Sequence, residues 1–296
     1  MVRFGNKLPL PKGIQDNIAK LRITPAAYKP FRLPPKHNAY RPKYEPRVEV
    51  SLGNWREQSL REYVSKVKDK GDPEYFEVFS MLNKITAKNL VQMSDEIIAI
   101  LHKKDQEFRL RVTTLLFHNA ISEPMFTSIL ADCAIRLNAA FPDVAEDFRV
   151  QAKMFSTLYD TTTTLTYPQS SEENFNDKIV MWMRQKMKRR GFAKFTTQLF
   201  IRGLIEEDLI VGLIKDVLVE VKLIAAQPKS EQTEENTTQY VDFLYETSKA
   251  LPATSKDLKL IIRTELTSFL QIPRQDLPSL CMRSKFRVED ALKCVQ

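Results

Sequence analysis

The stretch "EEDLIVGLIKDVLVEVKL", residues 206–223, decides the fold class. Leu209, Ile210, Leu213, Ile214, Val217, Leu218 and Val221 recur at three- and four-residue intervals, which gathers them on one side of an α-helix. Glu206, Glu207 and Asp208 precede them, where negative charge suits the positive end of the helix dipole. The same period returns in "EPMFTSILADCAIRLN" (123–138), with Phe126, Ile129, Leu130, Cys133 and Leu137 on the stripe. It returns again near 255–270, with Leu258, Ile261, Ile262, Leu266 and Phe269. Period-two alternation bounded by turn residues is essentially missing, and the chain has only seven glycines with which to build hairpins. The sequence therefore predicts an all-α protein.

Some ten helices of 12–20 residues with short joints follow from about residue 54. Each is too apolar on one side to stand alone, which predicts an α-solenoid of about five antiparallel helix pairs. The pair spacing of roughly 35–45 residues is near the HEAT period. Two polar stretches interrupt the pattern. "DTTTTLTYPQSSEENFN" (160–176) reads as a loop inserted into the third pair, and "QPKSEQTEENTTQ" (227–239) as the joint before the ninth helix. No domain boundary is expected within 54–296.

Residues 1–53 differ in kind. Residues 1–46 hold ten Lys and Arg against Asp16 and Glu45, so the net charge of +8 resides there and the remainder is neutral overall. The same stretch carries eight of the sixteen prolines, which forbid a long helix and favour extended backbone. The reading is a basic, proline-rich extended arm ahead of a balanced helical body. Tyr28, Phe31, Tyr40 and Tyr44 could anchor it, and "AYKP" (27–30) is echoed by "AYRP" (39–42).

Composition narrows the class. Hydrophobic residues at 43% and charged residues at 28% are ordinary for a globular protein, and no apolar run approaches the roughly 18 residues that span a bilayer. The opening "MVRFGNKLPLPKG" lacks the apolar core of a secretory signal. Cys133, Cys281 and Cys294 form no CxxC and are odd in number, which fits a reducing compartment; the expectation is cytoplasmic. Phosphate-cradling glycine loops, GxSxG and HExxH are missing, and His37, His102 and His118 have no metal-ligand rhythm. His118 is read as a packed or surface histidine, and the Glu206/Glu207 and Glu234/Glu235 pairs as solvated charge. The expectation is a binding protein, not an enzyme, with no cofactor and no metal.

Three blocks then point to a family. "FEVFSMLNKITAKNLVQMSDEII" (76–98) resembles the first helical pair of the middle domain of translation initiation factor four-gamma, whose signature reads close to LNKLTPxxF. "RVTTLLFHNAISEPMFTSILADCAIRLN" (111–138) is similar to its second pair, with Phe117, Ala120, Glu123, Pro124, Phe126 and Cys133 in step. "KRRGFAKFTTQLFIRGLIEEDLI" (188–210) resembles the family's "RRxxGNIxFIGELFKxxML" run, with Arg189, Arg190, Gly191, Phe195, Leu199, Phe200 and Leu204 in register. The resemblance covers roughly residues 54–270. Ala87 stands for the family's proline, Leu90 for its phenylalanine, Phe192 for the asparagine after its glycine, and "TQLF" for its "GELF". These departures mark a compact or divergent member, from a distant eukaryote or a virus.

The resemblance implies a translation initiation scaffold that binds a DEAD-box RNA helicase, holds its two lobes in a productive arrangement and contacts RNA. It assigns the helicase grip to Leu82, Asn83, Lys84, Ile85 and Leu90, with Glu123 and Pro124 in the next turn. The same stretch, read without the family, wedges two helices together through Leu82, Ile85 and Leu90, with Thr86 as N-cap of the second. For RNA, Arg184, Lys186, Lys188, Arg189, Arg190 and Lys194 make an acid-free basic run in "MRQKMKRRGFAKF" (183–195); a solvated face is the alternative. Phe192 and Phe195 could stack bases, but their spacing suits a core. In the arm, Tyr28 and Leu33 match part of the family's YxxxxLΦ contact with a cap-binding protein, although Pro34 stands where an apolar residue is expected. A splicing, decay or nuclear cap-complex adaptor, or a plain RNA- or protein-binding solenoid, are the rival readings.

Overall fold

The computed structural model describes residues 72–160 and 166–296, and every regular element among them is helical. The helices are α1 (Pro73–Lys84), α2 (Leu90–Leu101), α3 (Gln106–Ser122), α4 (Thr127–Ala140), α5 (Val144–Ala152), the single turn α6 (Phe155–Leu158), α7 (Phe175–Ile201), α8 (Glu207–Ala225), α9 (Glu231–Ala250), α10 (Lys256–Gln271) and α11 (Met282–Cys294). The arm, with Tyr28 and Leu33, and residues 161–165 of the first polar stretch lie outside the described residues.

Local chemistry sets the ends of these helices. Pro73 opens α1, where its missing N–H costs nothing. Asp105 accepts the Phe108 N–H at 2.9 Å to start α3, and Ser230 and Thr233 form a capping box at the start of α9. Gly203, at φ 72°, ends α7: its N–H bonds the Phe200 carbonyl while Leu204 N–H reaches back to Leu199, both at 2.9 Å. That is the Schellman closure, and it requires the left-handed backbone that glycine adopts freely.

The helices alternate between two sets. α1 packs on α3, α3 on α7, α7 on α9, and α9 on α11; behind them α2 packs on α4 and α8 on α10. Side-chain pairs give the direction. Lys186–Glu235, Arg190–Asp242 and Lys194–Glu246 advance together, so α7 and α9 run parallel. Thr238–Ser284 and Asp242–Arg287 do the same for α9 and α11, as do Tyr75–Phe108 and Asn83–Asn119 for α1 and α3. An aromatic cluster fills the centre where α3, α5, α6, α7 and α9 meet. Phe117, Phe148, Phe155, Phe192, Phe195 and Phe243 all lie within it, with ring centroids 5.4–6.4 Å apart in the pairs that touch.

The α8 stripe is buried from Ile210 to Val221, with Leu209 half-buried beside it. Phe126 departs from its expected stripe: it sits just before α4, 42% exposed, while Leu130, Cys133 and Leu137 are buried. The larger correction is the stretch 227–239. The joint is only a few residues long, because α9 begins at Glu231 and most of the polar run is helix.

Candidate interaction surfaces

In the α1–α2 turn, Leu82 and Ile85 are 3% and 4% exposed, so both belong to the core and neither forms an apolar tip. Leu90 is half-buried, and what the turn shows to solvent is Asn83, Lys84, Thr86, Ala87 and Lys88. Thr86 is not the N-cap of α2. Asn89 organises the turn instead: its Oδ1 accepts the Thr86 N–H at 2.6 Å and the Thr86 hydroxyl at 2.9 Å. Its Nδ2 donates to the Lys84 carbonyl at 3.0 Å, one of the carbonyls that the end of α1 leaves unpaired.

The next turn carries the exposed apolar group that the first lacks. Glu123 is exposed and Pro124 half-buried, while Met125 is 89% and Phe126 42% exposed. Because α1 and α3 run parallel, with Asn119 Nδ2 donating to Asn83 Oδ1 at 3.4 Å near their ends, the two turns leave neighbouring helices at the same end of the molecule. Arg202 ties the end of α7 to this region by bonds to Asp132 at 2.7 Å and the Ser128 hydroxyl at 2.9 Å. The structure thus brings Asn83, Lys84, Glu123 and Pro124 to one end, and takes Leu82 and Ile85 into the interior.

The basic run on α7 is rearranged as well. Arg189 is 1% exposed: its Nε donates to the Leu158 carbonyl at 2.9 Å and one terminal nitrogen to Gln239 Oε1 at 3.4 Å. It therefore offers nothing to a phosphate. Lys186 pairs with Glu235 at 2.6 Å, Arg190 with Asp242 at 2.5 Å and Lys194 with Glu246 at 3.4 Å. Burial pushes the Lys186 ammonium below its usual pKa, the opposite of a freely solvated cation. Phe192 and Phe195 are fully buried core. Four of the six expected RNA contacts are thus engaged by neighbouring groups; of the other two, Arg184 is exposed and Lys188 half-buried.

The carboxylates that engage them come from α9, inside or just beyond the stretch read as a joint. Their spacing carries a signal in the sequence: Glu235, Asp242 and Glu246 recur on one helical face, as Lys186, Arg190 and Lys194 do. Asp242 is 2% exposed and holds two guanidinium groups, Arg190 Nε at 2.8 Å and Arg287 Nε at 3.0 Å. Beside it, a cleft of about 540 Å³ opens between α9 and α11, lined by Thr238, Asp242, Arg283, Phe286, Arg287 and Asp290. A second cleft, about 450 Å³, is rimmed by Asp160, Asp216 and Glu220.

His118 keeps an exposed edge on α3; burial of the ring and the nearby Lys188 ammonium lower its pKa. Among the described residues no three His, Cys, Asp or Glu side chains converge as a metal site, and no helix is long and apolar enough to cross a membrane. Comparison with models of known protein families, with curated proteins and with solved structures finds no match to this chain.

Proposed function

We propose that this protein is a non-enzymatic, cytoplasmic scaffold of the initiation-factor-four-gamma middle-domain type, built as a HEAT-like solenoid, that docks a DEAD-box RNA helicase. It stimulates the helicase's RNA-dependent ATP hydrolysis and itself contacts RNA; the arm adds a cap-binding-protein contact through Tyr28 and Leu33. Alternation of helices between two sets, with parallel neighbours inside a set, supports the solenoid. One observation carries the docking reading: two successive turns leave parallel, neighbouring helices at one end, one showing Met125 at 89% exposure and the other showing Lys84 and Lys88 to solvent. Met125 and Phe126 are consecutive exposed apolar residues that a partner's surface could desolvate, as hot-spot residues are. Leu82 and Ile85 support the turn from beneath.

The test is the RNA-stimulated ATPase rate of a DEAD-box initiation helicase with and without this protein. A variant with Met125→Ala, Phe126→Ala and Lys84→Glu is run beside it. These side chains are exposed, so the variant keeps its helical signal and melting point. The expected result is stimulation by the wild type and its loss in the variant. Absence of both binding and stimulation with any such helicase would leave a plain RNA- or protein-binding solenoid.

A further inference from the structure

Ion pairing and burial inside the molecule occupy most of the cations on α7. Glu235, Asp242 and Glu246 engage three of its cations and the interior takes Arg189. On α11, Arg287 and Lys293 are ion-paired and, among the described residues, two cations are not. Arg283 and Lys285 are exposed, and neither forms an ion pair among the described residues. Phe286 lines the cleft together with Arg283; it is 54% exposed, its ring stacked on no other ring among the described residues. Arg287 is fixed from two sides: Asp242 accepts its Nε at 3.0 Å and its guanidinium carbon lies 4.0 Å above the Tyr245 ring. A guanidinium held in this way has little side-chain entropy left to lose, and its remaining N–H groups are set for a phosphate.

We propose that the α9–α11 cleft binds a nucleotide of single-stranded RNA, with its base stacked on Phe286 and its phosphate held by Arg283 and Arg287. The inference rests on the RNA contact in the function proposed above and gives it a place. Single strands suit the cleft because a lone exposed ring needs an unstacked base, which a duplex does not offer. The volume, about 540 Å³, is that of a small-ligand cleft, roughly 300–1,000 Å³. Asp290, at the rim, can accept from an exocyclic amine of the base, and its present partner Lys293 is itself exposed. The second cleft, with its acidic rim, repels a phosphodiester.

The experiment uses the full chain and a short single-stranded RNA carrying 2-aminopurine, whose fluorescence falls when the base stacks. Phe286→Ala should weaken binding about tenfold and abolish the fluorescence change, and Phe286→Trp should restore both. Arg283→Ala should weaken binding and make the logarithmic salt dependence shallower by about one phosphate contact. All three variants alter exposed side chains and should keep the wild-type melting point. Wild-type affinity and fluorescence change in Phe286→Ala would overturn the cleft while leaving an RNA contact elsewhere, such as the arm. No binding of single-stranded RNA by the wild type would sink this inference and the RNA part of the proposed function together. Helicase stimulation, measured on the same preparations, separates that from failure of the docking reading. If Phe286→Ala instead loses an acidic amphipathic helix peptide with RNA binding intact, the cleft is a protein site and the inference is wrong.

Discussion

At Gly191 a single missing atom sets the distance between two helices. A Cβ there would lie 2.0 Å from the Ile121 carbonyl oxygen and 2.6 Å from its carbon, and both are backbone, so no side chain can swing aside. Alanine favours a helix by about 1 kcal/mol over glycine, but prying α7 from α3 costs about 1–3 kcal/mol or more. We expect Gly191→Ala to lower stability by about 2 kcal/mol net, read as a fall in the urea midpoint. Gly212, inside α8 with nothing within 4 Å of its would-be Cβ, should respond with the opposite sign: Gly212→Ala gains about 0.5–1 kcal/mol. Equal responses at the two sites would refute the close-approach argument. Cys133 offers a test by pH. Burial pushes its thiol up from its ordinary value of 9.0 to about 11, with the Ser94 hydroxyl 3.5 Å away. A raised pKa means that the native state holds a proton the unfolded chain releases, so stability is intact below pH 9 and falls as pH rises towards 11. By pH 10.5 the loss should be about 2 kcal/mol greater in the wild type than in Cys133→Ala, measured by urea unfolding of both at pH 8 and pH 10.5. Comparing the two proteins cancels Tyr159 and Tyr240, which burial raises in both.

The helices differ in how much of themselves they wrote into the sequence. α8 was legible because its stripe is apolar and faces one way, and it is buried from Ile210 to Ala225 along that face. α9 was not, because it packs against α7, α8 and α11 and buries Asn236, Thr237, Thr238, Gln239, Thr247 and Ser248 as well as its aromatic residues. Several of these polar groups find partners nearby, although the Thr247 and Ser248 hydroxyls have none among the described residues. Thr237 and Thr238 hydroxyls donate to the carbonyls four residues back, each at 2.8 Å, and Gln239 donates to Glu235 at 2.6 Å. A polarity count reads such a helix as a loop. The α1–α2 turn left two readings open for a related reason: leucine and isoleucine in a turn can face inward or outward, and the packing decides for the wedge, with Leu82 and Ile85 in the core. For α9 the decisive residue is Asp242, whose carboxylate holds Arg190 and Arg287 together. Asp242→Ala leaves both guanidinium groups facing each other without it. Breaking a buried pair costs about 3–5 kcal/mol; because both arginines are about a third exposed, with side chains at 29% and 31%, water recovers part of that. The expected loss is about 2 kcal/mol, and a double-mutant cycle with Arg190→Ala should show a coupling of at least about 0.5 kcal/mol. Additive single effects would mean that the pair contributes nothing.

Across the whole molecule, charge shows most clearly what a one-dimensional reading omits. The sequence locates the excess of ten basic residues over two acidic ones in 1–46 and finds the rest balanced, and both statements stand as counts. It does not show that the balance is struck between helices about fifty residues apart, as in Lys186–Glu235, Arg190–Asp242 and Lys194–Glu246. That pairing is what turned a basic run into a structural seam. The order of packing makes a further demand. Since α1, α3, α7, α9 and α11 form a succession in which the substantial contacts join one member to the next, stability should be distributed seam by seam. A lesion at Asp242 should therefore accelerate amide exchange in α9 and α11, and in the part of α7 around Arg190. It should leave α1 to α4 at wild-type protection under native conditions. Hydrogen exchange of Asp242→Ala against the wild type, resolved by peptide, decides the matter. Gly191→Ala, at the α3–α7 seam, should move the boundary of the affected region towards α3. If either variant instead loses protection evenly from α1 to α11, the body unfolds as a single cooperative unit and the seams are not energetic boundaries.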